Sequence, residues 1–478
     1  MNKSIEIFKC HETATLFDVL AKINQNTKGI IFIVNQSDKL LGVLTDGDIR
    51  RALLNQVELN DQIQNYYNKE CAFSTTAESN SIRLSKLSSK VKILPIVDEN
   101  FVLVDYFHRD DLFQIPVAAP SLKGNEFKYL VEAFLSTWIS STGSYIEIFE
   151  TNFAQFCGAK NGIAVSNGTV AIHLALLALG VGPGDEVIVP DLTFAATINT
   201  VLHAGATPVI VDVEKDGWCI DPNEIEKAIT ARTKAIIPVH LYGQACDMGA
   251  IMALAKKHNL YVIEDCAEAH GARFKGERVG SIGDIGCFSF FANKVITTGE
   301  GGMCTTNSDE LTMKMKVLRD HGMKKDQKYY HEVIGYNYRM TNLQAAIGVA
   351  QVERIEDILE QRRLLEFEYR KRLSEFDFIE LQRIDLPNRE KITWLVSILV
   401  HKIDREELIQ KLKEARVDVR PFFYPLSKMD IYKQYVFSNT NCLRLSEIGL
   451  NLPTSLELTE EAPRKVYEIL KSYQKVNG

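Results

Sequence analysis

No two cysteines in this chain stand in a CxxC pair. Nine (Cys10, Cys71, Cys157, Cys219, Cys246, Cys266, Cys287, Cys304 and Cys442) are scattered through 478 residues. An odd, dispersed set argues against a disulfide framework or a zinc site and fits a reducing compartment. The opening MNKSIEIFKCHETATLF has no apolar core of the kind a secretory signal needs. No apolar run is long enough to cross a bilayer. Basic blocks and a helix-turn-helix pattern are missing too. The 55 basic and 62 acidic residues leave a net charge of −7. That mild acidic excess gives nucleic acid or an anionic membrane no electrostatic footprint. The expectation is a cytoplasmic protein with neither as a partner. TGEGGM is not GxGxxG, and neither GxxxxGK followed by Ser or Thr nor HExxH occurs, so dinucleotide, P-loop and zinc-protease readings fail.

What is present is ordinary globular composition, 46% hydrophobic and 24% charged, with length for roughly two to four domains. The first hundred residues differ in texture from the rest. GIIFIVNQSDKLLGVLTDGDIRRAL (29–53) reads strand, turn, strand, helix, and KILPIVDENFVLVDYFHRDDLF (92–113) echoes it. Two such units in tandem suggest a pseudo-symmetric module. FQIPVAAPSLKGNE (113–126) reads as a junction. Beyond it, short apolar strands alternate with helical stretches: GIAVS (162–166), EVIVP (186–190), TPVIVDV (207–213), KAIIPV (234–239) and LYVIED (260–265). That alternation predicts a parallel or mixed sheet covered on both faces, with ligands at the carboxyl ends of its strands. A long charged helical stretch from Thr341 leads to a smaller α+β region. The expected domains are 1–112, 113–360 and 361–478.

The chemistry gathers on those strand ends. Asp265 closes LYVIE; alone it would read as a helix cap. Ser166-Asn167-Gly168-Thr169 lies between a strand and a helix, where small residues offer free N–H groups and a favourable dipole to an anion. Phe194 is an aromatic just after EVIVP. Lys294, in SFFANKVITTGEGG (289–302), sits between an aromatic run and a glycine cluster, unlike a solvated surface lysine, with Ser289 five residues before it. None of these decides the matter alone. Together they are the inventory for pyridoxal 5′-phosphate: a lysine amine for a Schiff base, a carboxylate to keep a pyridine nitrogen protonated, a phosphate-binding helix start and an aromatic over the ring.

Two resemblances follow. Residues 1–112 resemble a CBS-domain pair, a regulatory module that often binds adenine nucleotides. Within GVLTDGD (42–48), the resemblance implies a ribose contact by Thr45 and Asp48. In the second unit Phe107 replaces the threonine while Asp110 remains, so at most one good site is expected. A pair used only for packing or dimerisation fits the same residues.

From IPVAAPSLKGNE onward the chain resembles the DegT/StrS sugar-nucleotide aminotransferases. The resemblance rests on ordered blocks such as SNGTVAIHLALLALGVGPGDEVIVP, VIEDCAEAHGA, GDIGCFSFFANKVITTGEGG, GYNYRMTNLQAAIG and VRPFFYPL. It implies the aspartate-aminotransferase fold: a large mixed or parallel sheet domain and a small C-terminal α+β domain. It implies that Lys294 carries the cofactor and moves the proton. Asp265 would pair with the pyridine nitrogen, and Glu268 would lie near the ring hydroxyl where many relatives have Gln. Gly168, Thr169 and Ser289 would hold the phosphate, and Phe194 would stack on the ring. Asn337 would reach the neighbouring subunit's cofactor, which implies a homodimer with shared sites. His240, His270, Arg339 and Tyr424 match positions on the sugar-nucleotide side.

Some relatives carry His at the lysine position and dehydrate sugars; this chain keeps Lys294. Glu268 brings it closest to the GDP-perosamine group within the family. The implied reaction moves an amino group from L-glutamate to C4 of GDP-4-keto-6-deoxymannose, for bacterial surface polysaccharide such as O-antigen. A UDP- or dTDP-linked keto sugar, including an N-acetylated one, is the alternative. A non-catalytic PLP- or sugar-binding regulator governed by the CBS pair is the rival of a different class.

Overall fold

The computed structural model describes residues 5–26, 28–88, 91–108, 115–324, 326–327 and 329–474. The chain divides into two compact units, Met1–Gln114 and Ile115–Gly478. The expected boundary at 112/113 and Asp110 lie outside the described residues.

The first unit repeats one motif. Strand β1 (Lys9–His11), helix α1 (Leu16–Asn26), β2 (Ile30–Val34), β3 (Leu40–Thr45) and α2 (Asp46–Leu54) form the first half. Strand β4 (Ser74–Thr75), α3 (Asn80–Lys86), β5 (Ile93–Val97) and β6 (Leu103–His108) form the second. In each half the first strand pairs parallel to the second and the second antiparallel to the third. Every residue of β2 and β5 is buried, which their unbroken apolar runs dictate. Phe8, Phe32 and Tyr106 pack across the halves.

The second unit begins with α4 (Glu126–Leu135) and α5 (Ser144–Cys157). The strands and helices of its large layer then alternate: β7 (Asn161–Val165), α6 (Gly168–Ala178), β8 (Glu186–Pro190), α7 (Ala196–His203), β9 (Thr207–Val211), α8 (Pro222–Ala228), β10 (Thr233–Ile236), α9 (Met248–His258) and β11 (Tyr261–Asp265). Two short strands, β12 (Arg273–Phe274) and β13 (Glu277–Arg278), precede β14 (Ile285–Ser289), β15 (Gly302–Thr306) and α10 (Asp309–Arg319). The seven-stranded sheet has the order β7-β15-β14-β11-β10-β8-β9. Only β15 runs against its neighbours, so the carboxyl ends of β7, β8, β11 and β14 share one edge. Crossover helices cover both faces of the sheet, as its apolar strands require.

Helix α11 (Asn342–Glu353) starts from a capping box of Thr341 and Gln344, and α12 (Ile355–Leu373) follows it. The expected boundary at 360/361 falls inside α12, which runs unbroken to Leu373. The second sheet comes later: β16 (Ile379–Leu381), β18 (Val396–Val400), β20 (Gly449–Leu452) and β19 (Arg420–Pro421), in that spatial order and all antiparallel. The short β17 (Arg389–Glu390) pairs with β12 of the large layer. Helices α13 (Arg405–Glu414), α14 (Thr440–Ile448) and α15 (Glu461–Gln474) complete this part. Leu365, Leu408 and Val466 pack with Ile398 and Leu450 into its own core.

Candidate active site

Four strand ends supply the site. At the end of β11, the Asp265 carboxylate is buried; it accepts hydrogen bonds from Thr197 Oγ1 (2.8 Å) and the Ala267 N–H (3.1 Å). Burial pushes this carboxyl up, against the pull of those two donors and of Lys294. After β7, Asn167 caps α6 by accepting from the Val170 N–H (3.0 Å). The first N–H groups of a helix have no partner inside it. The cap takes that of Val170, and Gly168 and Thr169 line the cavity at the same helix start.

Lys294 lies in the turn after β14, held by its own N–H to the Phe291 carbonyl (2.9 Å). Its side chain is 12% exposed, with Nζ 3.6 Å from Glu268 Oε1 and 4.1 Å from the centre of the Trp394 ring. Glu268 accepts from the Tyr242 N–H through its other oxygen (3.0 Å). Burial pushes the Glu268 carboxyl up to about 7, against the downward pull of Lys294. A cavity of about 670 Å³ has Gly168, Thr169, Phe194, Asp265, Glu268, Ser289 and Lys294 in its wall. Seven residues spread over 127 positions of sequence thus meet in one place. Phe194 is 62% exposed at the rim, 6.0 Å from Phe423.

The other expected residues lie elsewhere. His240 and His270 are fully buried and outside the wall of this cavity. His240 Nδ1 accepts from the Cys246 N–H (3.0 Å), so Nε2 carries the proton and donates to Glu264 (3.1 Å). Burial pushes the Glu264 carboxyl up, but His240 and the N–H groups of Gly280 and Gly283 outweigh it and hold it below the ordinary value. This pair braces the loop before β14 and has no free face for a ligand. The His270 ring packs against Phe153, Phe288 and Phe290, and burial drives its pKa down to about 3, keeping it neutral.

Asn337 and Arg339 bond to each other (3.1 Å), with Arg339 also paired to Asp320 (2.8 Å). Neither is in the cavity wall of its own chain. Tyr424 lines a second cavity of about 670 Å³ that shares Asn293, Trp394 and Phe423 with the first. In the first unit, Thr45 and Asp48 form a capping box at the start of α2: Asp48 accepts from the Thr45 N–H (2.9 Å) and Oγ1 (2.7 Å). Thr197, Tyr242 and Trp394 were not singled out in the sequence. Only the contact of Thr197 with Asp265, and of Trp394 with Lys294, marks them.

A family model for DegT/DnrJ/EryC1/StrS aminotransferases matches residues 120–471. The chain belongs to this family. A CBS-domain model matches residues 1–55. The chain is 47% identical over 358 residues to a GDP-perosamine synthase of Caulobacter vibrioides, covering 73% of this chain and 95% of the relative. Against one from Vibrio cholerae the identity is 42% over 369 residues, covering 75% and 99%. Among solved structures, the aminotransferase from Psychrobacter cryohalolentis superposes with a TM-score of 0.71 at 33% identity, covering 75% of this chain and 99% of that one. TlmJ from Streptoalloteichus hindustanus gives 0.73 at 26%, covering 76% and 100%.

As a DegT-family aminotransferase, this protein uses pyridoxal phosphate, and its own residues fit that group. A Cβ on Gly168 would come within 2.7 Å of Ser289 Cβ, and one on Gly302 within 2.4 Å of the Asn167 carbonyl oxygen. Only bare backbone fits there, so the start of α6 packs directly against Ser289 and β15, which brings the Gly168 and Thr169 backbone and the Ser289 side chain to one wall of the cavity. Lys294 and Asp265 line the same cavity, the amine and carboxylate that a pyridine aldehyde requires.

Proposed function

We propose that this aminotransferase moves the amino group of L-glutamate to C4 of GDP-4-keto-6-deoxymannose, releasing 2-oxoglutarate and GDP-perosamine. The observation that carries this is the 42–47% identity to three GDP-perosamine synthases along nearly their whole length. Glu268, set beside Lys294, agrees with it.

The bound cofactor supplies an aldehyde for amine exchange and a ring that takes up electrons. The Gly168 and Thr169 N–H groups and the Ser289 hydroxyl would hold its phosphate. Asp265, whose charged form Thr197 and Ala267 support, would keep a proton on the ring nitrogen. Phe194 and Glu268 would hold the ring, through its face and its hydroxyl. The Lys294 amine lifts the proton from the donor's α-carbon in one half-reaction and returns a proton to the sugar's C4 in the other. The second cavity, with Tyr424 and Arg420 in its wall, gives the long acceptor a path away from the reacting carbon.

The working form is a homodimer in which Asn337 and Arg339 complete the neighbouring site. Two observations support this. Both residues lie outside their own chain's cavity, and α4 carries Phe127, Phe134 and Leu135 on an exposed face that continues into Trp138 and Ile139. The first unit is a regulatory module for adenine nucleotide. Among the described residues no helix is long and apolar enough to cross a membrane; the nine free cysteines fit work in the cytoplasm.

The test is 2-oxoglutarate release from glutamate with a panel of GDP-, UDP- and dTDP-linked 4-keto-6-deoxy sugars, with Lys294→Ala as control. Turnover with the GDP-linked ketone is expected. Turnover only with a UDP or dTDP sugar would overturn the acceptor and leave the chemistry standing.

A further inference from the structure

This inference rests on the role proposed for Lys294: an incoming amine that took its place on the cofactor would set the lysine amine free. It must then stay within reach of the reacting carbon. A flexible four-carbon chain does not do this unaided, because its rotamer freedom favours dispersal.

The structure contains a clamp for the free amine. Lys294 Nζ lies 4.1 Å from the Trp394 ring centre, well inside the roughly 6 Å reach of a cation–π contact. The indole is tied to the lysine's own backbone: Trp394 Nε1 donates to the carbonyl of Asn293 (2.8 Å). The ring therefore keeps its distance from the root of the lysine side chain. The Trp394 carbonyl is fixed from behind by Arg362 Nη1 and Thr454 Oγ1, both at 2.8 Å. Arg362 is itself buried.

Tyr242 closes a circuit. Its ring stacks on Trp394 at 6.3 Å and 23°, and its N–H holds Glu268. Its hydroxyl accepts from the Phe423 N–H (3.0 Å). Tyr242 adopts φ 49°, ψ 35°, a left-handed conformation that is strained for a non-glycine residue. Such a conformation persists where surrounding contacts over-determine it, and here they do. Lys294, Trp394, Tyr242 and Glu268 form a ring of contacts around the amine.

We infer that Trp394 is a positioning residue that parks the freed Lys294 amine against its π face, between the indole and Glu268. The titratable groups that share the cavity wall with that amine are Glu268 and Asp265; His270, buried outside the wall, is neutral. The two carboxyls favour the ammonium, as the indole does; His270 adds no charge.

The test uses the cofactor-stripped full chain and pyridoxal phosphate alone. Its rate of capture by Lys294 is followed against pH, with the site confirmed by borohydride trapping and peptide mass spectrometry. Capture needs the neutral amine, so removing a contact that favours the ammonium should let capture set in at lower pH than in the wild type. In Trp394→Leu the midpoint of the pH–rate profile falls by about one pH unit, and in Trp394→Phe it falls part of the way. Turnover with glutamate falls about tenfold in the leucine variant and less in the phenylalanine one. A wild-type midpoint in Trp394→Leu, even with a lowered Tm, would mean the indole only packs, and would overturn the inference. If Trp394→Leu does not fold, Trp394→Phe decides: an unmoved midpoint overturns the clamp, and a partial fall supports it. No sugar nucleotide enters the capture experiment, so its result is separate from the identity of the acceptor.

Discussion

Thr197 Oγ1 donates to Asp265 Oδ2 at 2.8 Å, joining the first turn of α7 to the end of β11. The hydroxyl helps hold the carboxylate ionised against the burial that pushes it up. Thr197→Val keeps the shape and removes the donor. The variant is expected to lose roughly tenfold in kcat, the equivalent of ~1.4 kcal/mol for one hydrogen bond to a charged group. Because the charged form loses support, the acid limb of the kcat–pH profile shifts to higher pH. An unchanged acid limb would show that Thr197 does not act through Asp265.

Glu268 gives a pH test of its own. Its carboxyl titrates at about 7 in the folded chain against 4.5 as a free side chain. A raised carboxyl pKa means that folding favours the protonated form. Its contribution is fully present below pH 4.5 and is lost as pH rises through about 7, at a cost of roughly 3 kcal/mol. Glu268→Gln removes the titration and still accepts from Tyr242. In the cofactor-free protein, the variant and wild type should unfold alike near pH 4.5, with the variant gaining stability up to pH 7 and holding the gain above it. Urea unfolding at a series of pH values measures this; parallel curves would refute it.

Glu264 carries structure rather than chemistry. It accepts from the Gly280 (3.0 Å), Ile282 (2.9 Å) and Gly283 (2.8 Å) N–H groups as well as from His240. Glu264→Ala would strand these buried donors and is expected to cost about 3 kcal/mol or more, read as a lower urea midpoint. Loss of activity without loss of stability would instead return His240 and Glu264 to the substrate side.

The exposed face of α4 tests assembly. If the proposed dimer forms through this face, Phe134→Asp with Leu135→Asp should give monomer in sedimentation velocity, with activity falling in proportion. Ile334, 88% exposed in the segment that leads to Asn337, should behave alike as Ile334→Asp. Dimers of full activity in both variants would rule out this face.

In the first unit, Asp48→Ala removes the capping box of α2 and should cost about 1 kcal/mol. Titration calorimetry with AMP and ATP then asks whether Asp48 has a second role. Binding by wild type that Asp48→Ala loses would support the ribose contact; equal binding by both proteins would exclude it.

Much of this protein was legible in its residues. The alternation of EVIVP, KAIIPV and LYVIED with helical stretches announced a covered sheet, because strands buried on both faces must be apolar throughout. Asp265, Gly168 and Lys294 could be picked out because strand ends and helix starts have local signatures and a lone lysine between aromatics and glycines is unusual. The two halves of the first unit showed as a repeat for the same reason.

The surroundings of His240 and His270, and the point at which the second unit passes from one core to the next, are not legible locally. Whether a histidine faces a cavity or a buried glutamate depends on which loop packs over it. The two parts of the second unit meet inside one helix, α12, whose helix-favouring residues give no sign of the change. Amino-acid order by itself determined the periodicity, the strand-end chemistry and the retention of Lys294. The tertiary structure alone decided that Thr197 would brace Asp265, that Tyr242 would be held in a left-handed turn and that Trp394, a hundred residues from Lys294, would cover its amine. Those contacts span long stretches of chain: the first is made within the large layer, between α7 and β11, and the other two where Trp394 and Phe423 of the later part pack onto that layer.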